Sequence, residues 1–174
     1  MKVALIAISD TAEAQLLRLA LESVGAVVHL HGIGKPSDFF TAFDHFGISP
    51  DVAIICGHGD DNGFIVPEMA PGVDTLVLPA DRLTPTLIAD HLGAAPPVVI
   101  STACGTGLKS FATAFIAAGA TNYIAPKGYP DGAAVPALLH LAAYRVQSAG
   151  SSWEAAIRAA NNFMTLENQF DIWR

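Results

Sequence analysis

Two side chains that could do chemistry together follow two separate runs of apolar, largely β-branched residues. His58 comes after the run 52–56, and Cys104 comes after the run 98–103. Ligands of an open α/β sheet bind outside the carboxyl ends of its parallel strands, so neighbouring strands would bring this imidazole and this thiol into one crevice. An imidazole beside a thiol is the arrangement of a cysteine nucleophile and its base. We therefore predict that His58 and Cys104 are catalytic.

The glycines around both residues support this hypothesis. A thiol attacks as its thiolate, and an unperturbed pKa of about 8.5 leaves little thiolate at neutral pH. Cys104 precedes Gly105-Thr106-Gly107 and a predicted helix, so we expect the helix N-terminus and His58 to lower this pKa. We expect the backbone amides of Gly59 and Cys104 to form an oxyanion hole, because Gly59 carries no side chain to obstruct the crevice.

The surrounding sequence alternates strand and helix patterns. This alternation predicts an α/β fold with a mainly parallel five-stranded sheet and helices on both faces. The predicted strands are 3–8, 26–30, 52–56, 98–102 and 121–125. The predicted helices are one that begins at Asp10, three over 37–46, 84–92 and 108–119, and two over 133–148 and 151–163.

Three local details complete this prediction. The spacing of Asp10 and Glu13 is that of a capping box, and it opens a helix with an expected apolar face of Leu16, Leu17, Ala20 and Val24. The irregular segment 60–78 contains two short apolar pieces, 64–66 and 76–78, that could pair as a hairpin. The segment 170–173 is expected to pack back as a terminal apolar plug.

Composition limits the class of protein. A chain of 174 residues with 52% hydrophobic and 14% charged residues predicts one domain, 1–174, with a large core. The net charge of −7 and the lack of a basic patch argue against nucleic-acid and anionic-membrane partners. No apolar run approaches the about 20 residues of a membrane-spanning helix. Two cysteines without a disulfide pattern favour a reducing compartment, and we expect a cytoplasmic protein.

The ordered motifs resemble a known family. Gly57-His58-Gly59, the stretch 76–84, the stretch 101–107, Phe115 to Ala120 and the stretch 152–159 follow one another as in the caspase-like (clan CD) cysteine peptidases, most similarly to a bacterial CHAT domain. The separation of 46 residues between His58 and Cys104 is close to the about 50 of caspases. The resemblance covers most of the chain beyond residue 50.

The resemblance implies a three-layer caspase-like fold and an endopeptidase that cleaves a protein or peptide substrate. It implies His58 as general base and later acid, Cys104 as nucleophile, and neither metal nor cofactor. Lys127, Tyr129 and Asp131 occupy the stretch where CHAT domains carry substrate-binding aromatic and acidic residues. Sensor or repeat domains common in CHAT proteins are not found, so recognition must come from a separate regulatory protein or be absent.

Other interpretations of the same residues remain open. Asp60 and Asp61 favour a turn after the third strand, or the binding of a basic substrate side chain. Cys56, His58, Asp60 and Cys104 could in principle ligate zinc, although their spacing fits such sites poorly. A flavodoxin-like module could bind an anion at Gly105-Thr106-Gly107. A caspase-like scaffold without catalysis is the last alternative.

Overall fold

A computed structural model describes residues 1–43, 49–68, 70–73 and 78–174. Strands β1 to β9 are Lys2–Ala7, Val27–Gly32, Val52–Cys56, Gly59–Asp60, Gly63–Ile65, Arg82–Leu83, Val98–Ser101, Asn122–Pro126 and Phe170–Trp173. Helices α1 to α6 are Thr11–Ser23, Asp38–Thr41, Pro85–His91, Lys109–Ala117, Ala134–Ala149 and Trp153–Asn161.

The central sheet has six strands in the order β2-β1-β3-β7-β8-β9. The first five strands in this order are parallel, and they are the five predicted from the sequence. The sixth, β9, pairs antiparallel with β8, so that Trp173 lies opposite Tyr123. The predicted count of five was wrong because the segment 170–173 forms a strand instead of a plug, and its partner is distant in sequence.

Helices cover both faces of this sheet, as predicted, and give the fold three layers. On one face α1, α5 and α6 bury the side chains of Leu5, Ile54 and Ile100. On the other face α3, α4 and Phe39 bury Ile6, Ile55 and Tyr123. Strand β3 lies between β1 and β7 and has no exposed residue, which explains its uninterrupted apolar sequence.

Local signals account for several helix ends. The Asp10 carboxylate accepts a hydrogen bond from the amide of Glu13 at the start of α1. Ser152 caps α6 in the same way through the amide of Ala155. Helix α5 ends at Gly150, whose φ of 64° is in the left-handed region that glycine adopts without strain.

Three local expectations need correction. Helix α1 buries Ala14, Leu17 and Leu21, whereas Leu16 is 55% exposed, because the helix is rotated relative to the expected face. Helix α2 covers only Asp38–Thr41 of the expected 37–46, and residues 44–48 lie outside the described part. Strand β5 pairs with β4 on one edge and with β6 on the other, in place of the expected hairpin of 64–66 with 76–78. Residues 76 and 77 of that expected hairpin lie outside the described part.

Replacing Tyr123 with Phe should destabilise the fold. The buried Tyr123 hydroxyl donates to the carbonyl of Thr106 at 2.9 Å, so its removal leaves a buried acceptor without this donor. We expect the free energy of unfolding in urea to fall by about 1–2 kcal/mol. Tyr144→Phe, at a position that is 54% exposed, is the matched control and should change it little. Equal stability of both variants would contradict the prediction.

Candidate active site

The register of β3 and β7 brings the segments that carry His58 and Cys104 to the same edge of the sheet. Ile55 pairs with Ser101, and each site residue lies three positions beyond its member of this pair. Both residues line one cavity of about 350 Å³ at the carboxyl ends of the strands. His58 is exposed and Cys104 is half-buried. The predicted adjacency of the two strands is therefore confirmed.

The cavity has an apolar wall and an acidic wall. Leu16 of α1 and Val135 and Pro136 of α5 form much of the apolar wall. Asp10 and Glu13, at the start of α1, contribute the two carboxyl groups. The full lining is Asp10, Ala12, Glu13, Leu16, Gly57, His58, Thr102, Cys104, Pro130, Gly132, Val135 and Pro136. Within the described residues this lining includes no lysine or arginine, so the cavity is acidic.

Buried hydroxyl groups hold the turn that carries Cys104. The hydroxyls of Ser101 and Thr106 lie 2.7 Å apart, and that of Thr106 donates to the carbonyl of Ala103 at 2.8 Å. The amide of Ala103 in turn donates to the Ser101 hydroxyl. All three residues are at most 5% exposed, so these bonds are sheltered from competing water. The backbone before and after Cys104 is therefore rigidly supported.

Two glycines allow the His58 and Cys104 segments to touch. A Cβ at Gly59 would lie 2.8 Å from the carbonyl oxygen of Cys104, and one at Gly105 would lie 2.6 Å from the carbonyl carbon of Asp60. Gly105 also has a φ of 70°, which favours glycine. Gly59 and Cys104, the predicted oxyanion-hole residues, are thus in direct backbone proximity, and their role in binding an oxyanion stays a prediction.

The expected lowering of the Cys104 pKa is wrong. Burial raises the pKa of the Cys104 thiol, its own backbone amide opposes this, and the negative charge of Glu13 raises it further. Helix α4 begins only at Lys109, so its N-terminus is not adjacent to the sulfur. Burial raises the pKa of Cys56 much further, and this residue belongs to the core. The helix therefore does not provide the expected stabilisation of a Cys104 thiolate.

Glu13 is the site residue that sequence analysis missed. Its spacing from Asp10 indicates half of a capping box, yet its side chain accepts a hydrogen bond from the Thr102 hydroxyl at 2.9 Å. Burial raises the pKa of Glu13 to about 7, the Thr102 bond opposes the shift, and Asp10 adds to it. The sequence does show an acidic residue shortly after the end of a strand, which could have suggested a site residue. Its partner Thr102 is 89 residues away along the chain, so the sequence did not reveal this contact.

The two aspartates after β3 have different environments. Asp60 accepts hydrogen bonds from Arg82 at 2.9 and 3.0 Å and from the amide of Asn62. Arg82 holds the pKa of Asp60 below its usual value, and the carboxylate is used within the protein. Asp61 is exposed and lies 3.4 Å from the hydroxyl of Tyr129. Asp61 and Tyr129 are thus brought together, while Asp60 stabilises the loop.

The remaining predicted substrate-binding residues lie elsewhere on this end of the sheet. Lys127 donates to Gln169 and lines a separate cavity beside β9. Asp131 accepts a hydrogen bond from the amide of Ala133, as expected for a residue before a helix. Neither residue is part of the lining shared by His58 and Cys104.

The zinc alternative lacks the geometry it requires, and the anion alternative loses one of its donors. Among the described residues, no group of three or more His, Cys, Asp and Glu side chains is placed to hold a metal ion. All four residues of the zinc hypothesis are described, and Asp60 is engaged by Arg82. In the glycine loop, the amide of Gly105 donates to the carbonyl of Gly128 at 2.9 Å. That amide is therefore not available to an anion.

Comparison with known proteins provides a structural relative. The crystal structure of the Arg specific cysteine proteinase gingipain R superposes with a TM-score of 0.61 and 12% sequence identity over 96% of this chain. The chain has a caspase-like fold. It spans 43% of the length of the gingipain R chain, and at this identity the likeness concerns the fold. No family model matches the sequence, and no curated protein does.

Nothing in the described part of the structure has the length and apolar character of a membrane-spanning helix.

Glu13 should make stability depend on pH. The pKa of Glu13 in the folded protein, about 7, exceeds its usual value of 4.5. The stabilisation of the fold that comes from protonated Glu13 is therefore fully present below pH 4.5 and is lost as pH rises to about 7. We expect the difference in unfolding free energy between the wild type and Glu13→Gln to fall by about 1–2 kcal/mol over that range, after discounting for partial exposure. Urea unfolding at several pH values measures it. Glu22→Gln on the same helix is the control, and a pH-independent difference would refute the prediction.

Cys104 should react with iodoacetamide faster than Cys56. Cys104 is half-buried and lines a cavity, whereas Cys56 is buried in the core. Peptide mapping by mass spectrometry after timed labelling of the folded protein measures both rates. Because burial raises the pKa of Cys104, we expect its rate to increase steeply above neutral pH. Equal, slow labelling of both cysteines would identify Cys104 as an inert core thiol.

Proposed function

We propose that the protein is a caspase-like cysteine peptidase with a dyad of His58 and Cys104. One observation carries the proposal: the two residues follow adjacent parallel strands and line a single cavity. A peptidase requires this placement, whereas a binding module has no need for it. The caspase-like fold supports the same activity.

The proposed reaction proceeds through an acyl-enzyme. His58 accepts the thiol proton, and the sulfur of Cys104 attacks the carbonyl carbon of the scissile bond. The backbone amides of Gly59 and Cys104 stabilise the resulting oxyanion. His58 returns the proton to the leaving amine, and the carbon–nitrogen bond breaks. His58 then accepts a proton from water, which attacks the thioester, and Cys104 recovers its proton as the acid product leaves.

The cavity favours some substrate side chains over others. The carboxyl groups of Asp10 and Glu13 disfavour an acidic side chain, and the wall of Leu16, Val135 and Pro136 accommodates an apolar stem. We propose substrates with a basic or neutral residue before the scissile bond. Gingipain R, which shares the fold, is an Arg specific proteinase, and this makes arginine a useful member of a test panel.

The resemblance to a CHAT domain, and the dependence on a separate regulatory protein, are also part of the proposal. They are supported by the ordered motifs from Gly57 to Ala159. Exposed Asp61 and Tyr129 lie on the loops beside Cys104, where a partner could change the shape of the cavity. A cytoplasmic location would keep Cys104 reduced.

The test uses acyloxymethyl-ketone probes with Arg, Lys, Ala or Asp in the position before the reactive group. We expect labelling of Cys104 by the basic and neutral probes, weaker labelling by the Asp probe, and none in Cys104→Ala. His58→Ala should lose peptide hydrolysis, because no base would then deprotonate the thiol. Cys56→Ala is the matched control, and it should retain labelling. Chelator-sensitive hydrolysis that survives Cys104→Ala would replace the thiol mechanism with a metal-dependent one.

A second candidate, a catalytically silent caspase-like scaffold, is favoured by the raised pKa of Cys104. A silent scaffold would leave Cys104 unlabelled by every probe, with and without a partner. The same probe panel therefore separates the two candidates.

A further inference from the structure

The hydroxyl of Thr102 has one proton and several possible acceptors, which are Glu13, the carbonyl of Ile55 and the sulfur of buried Cys56. Its oxygen lies 2.9 Å from a carboxyl oxygen of Glu13 and 3.2 Å from the carbonyl oxygen of Ile55. A hydroxyl donates one hydrogen bond but can also accept, so the arrangement depends on the proton of Glu13. A neutral Glu13 can donate to Thr102 while Thr102 donates to Ile55. An ionised Glu13 can only accept, and Thr102 then donates to it.

Thr102 lies at the junction of the three elements that build the site. Its amide donates to the carbonyl of Ile55 at 2.9 Å, which extends the β3–β7 pairing by one residue. Thr102 is two residues before Cys104, Ile55 is three before His58, and Glu13 is on α1. Thr102 is only 5% exposed, so water competes little for its hydroxyl. The Glu13 carboxyl is thereby held at the wall of the same cavity as Cys104.

The groups around Glu13 do not neutralise its charge. The titratable groups that face it are Asp10 at the start of α1, Cys56 at the end of β3, and His58 and Cys104 in the cavity. The α5 side of the cavity presents Pro130, Gly132, Val135 and Pro136, none of which titrates. An ionised Glu13 therefore acts on the Cys104 thiol without an adjacent lysine or arginine in the described lining.

We propose that Glu13 is a positioning residue for Cys104, whose carboxyl, held by the Thr102 hydroxyl, sets by its charge how readily the Cys104 thiol loses its proton. The inference rests on the proposed function in taking Cys104 as the nucleophile. Its geometric basis is that Glu13 and Cys104 line one cavity, where the Thr102 hydroxyl holds the Glu13 carboxyl. Two pKa shifts agree with it. The pKa of Glu13 is about 7, so its charge changes near neutral pH. The negative charge of Glu13 raises the pKa of Cys104.

The test measures iodoacetamide alkylation of Cys104 against pH in the wild type and in Glu13→Gln. Gln is close to Glu in shape and stays neutral. The ratio of the Glu13→Gln rate to the wild-type rate should be close to one under acidic conditions. It should rise to about threefold above neutral pH, with a midpoint near pH 7. A ratio that does not vary with pH would overturn the proposal, because a merely structural effect has no such midpoint.

A matched control and a second variant sharpen the test. Glu22→Gln removes one negative charge from an exposed part of α1, and it should leave the Cys104 profile unchanged. If Glu22→Gln reproduced the Glu13→Gln profile, net charge would explain the effect and the proposal would fail. Thr102→Val removes the donor that stabilises the Glu13 anion, so on this background the midpoint of the ratio should move to higher pH. An unchanged midpoint would overturn the role of Thr102.

The wild-type protein alone also tests the proposal, whether or not the variants fold. A lone thiol well below its pKa gains about tenfold in thiolate per pH unit. Ionisation of Glu13 should reduce this gain for Cys104 around pH 7, and an undiminished gain would overturn the proposal. The readout is alkylation and not peptide hydrolysis. Peptidase activity can therefore be absent while the Glu13 effect is present, and the two proposals fail separately.

Discussion

The parallel pairing of β3 with β7 is the constraint on which the candidate site depends. Its register puts Ile55 opposite Ser101, and the amide of Thr102 continues the pairing to Ile55. A shift of one residue would move every side chain of β7 to the other face of the sheet. Ile100 would then leave the core formed with α5 and α6. Core packing therefore holds the segments that carry His58 and Cys104 beside one cavity.

The turns beyond these strands convert that register into a cavity. Gly59 and Gly105 let the two segments approach more closely than side chains would permit. Buried hydroxyls of Ser101, Thr106 and Tyr123 satisfy the backbone of the Cys104 turn. The result is a rigid support under a half-buried thiol, with one wall supplied by the start of α1. Rigid support of this kind is what a positioned nucleophile requires.

Electrostatics at the site oppose thiolate formation and so limit the mechanism. Burial and Glu13 both raise the pKa of Cys104, and the helix that follows begins too late to compensate. The proposed dyad would depend in this environment on His58 as base and on the charge state of Glu13. The same carboxyl makes the cavity unfavourable for acidic side chains. Under the proposed mechanism, Glu13 therefore affects both substrate preference and thiol reactivity.

The sequence by itself determined the five parallel strands and the placement of His58 and Cys104 directly after two of them. Buried strands are uninterrupted apolar runs, and polar residues at their carboxyl ends stand out locally. Only the tertiary structure decided the contacts between distant segments. One such contact is the pairing of β9 with β8. Another is the ion pair of Asp60 with Arg82, 22 positions apart, and a third is the bond between Glu13 and Thr102, 89 positions apart. Such contacts follow from the packing of whole elements, which no local pattern of residues encodes.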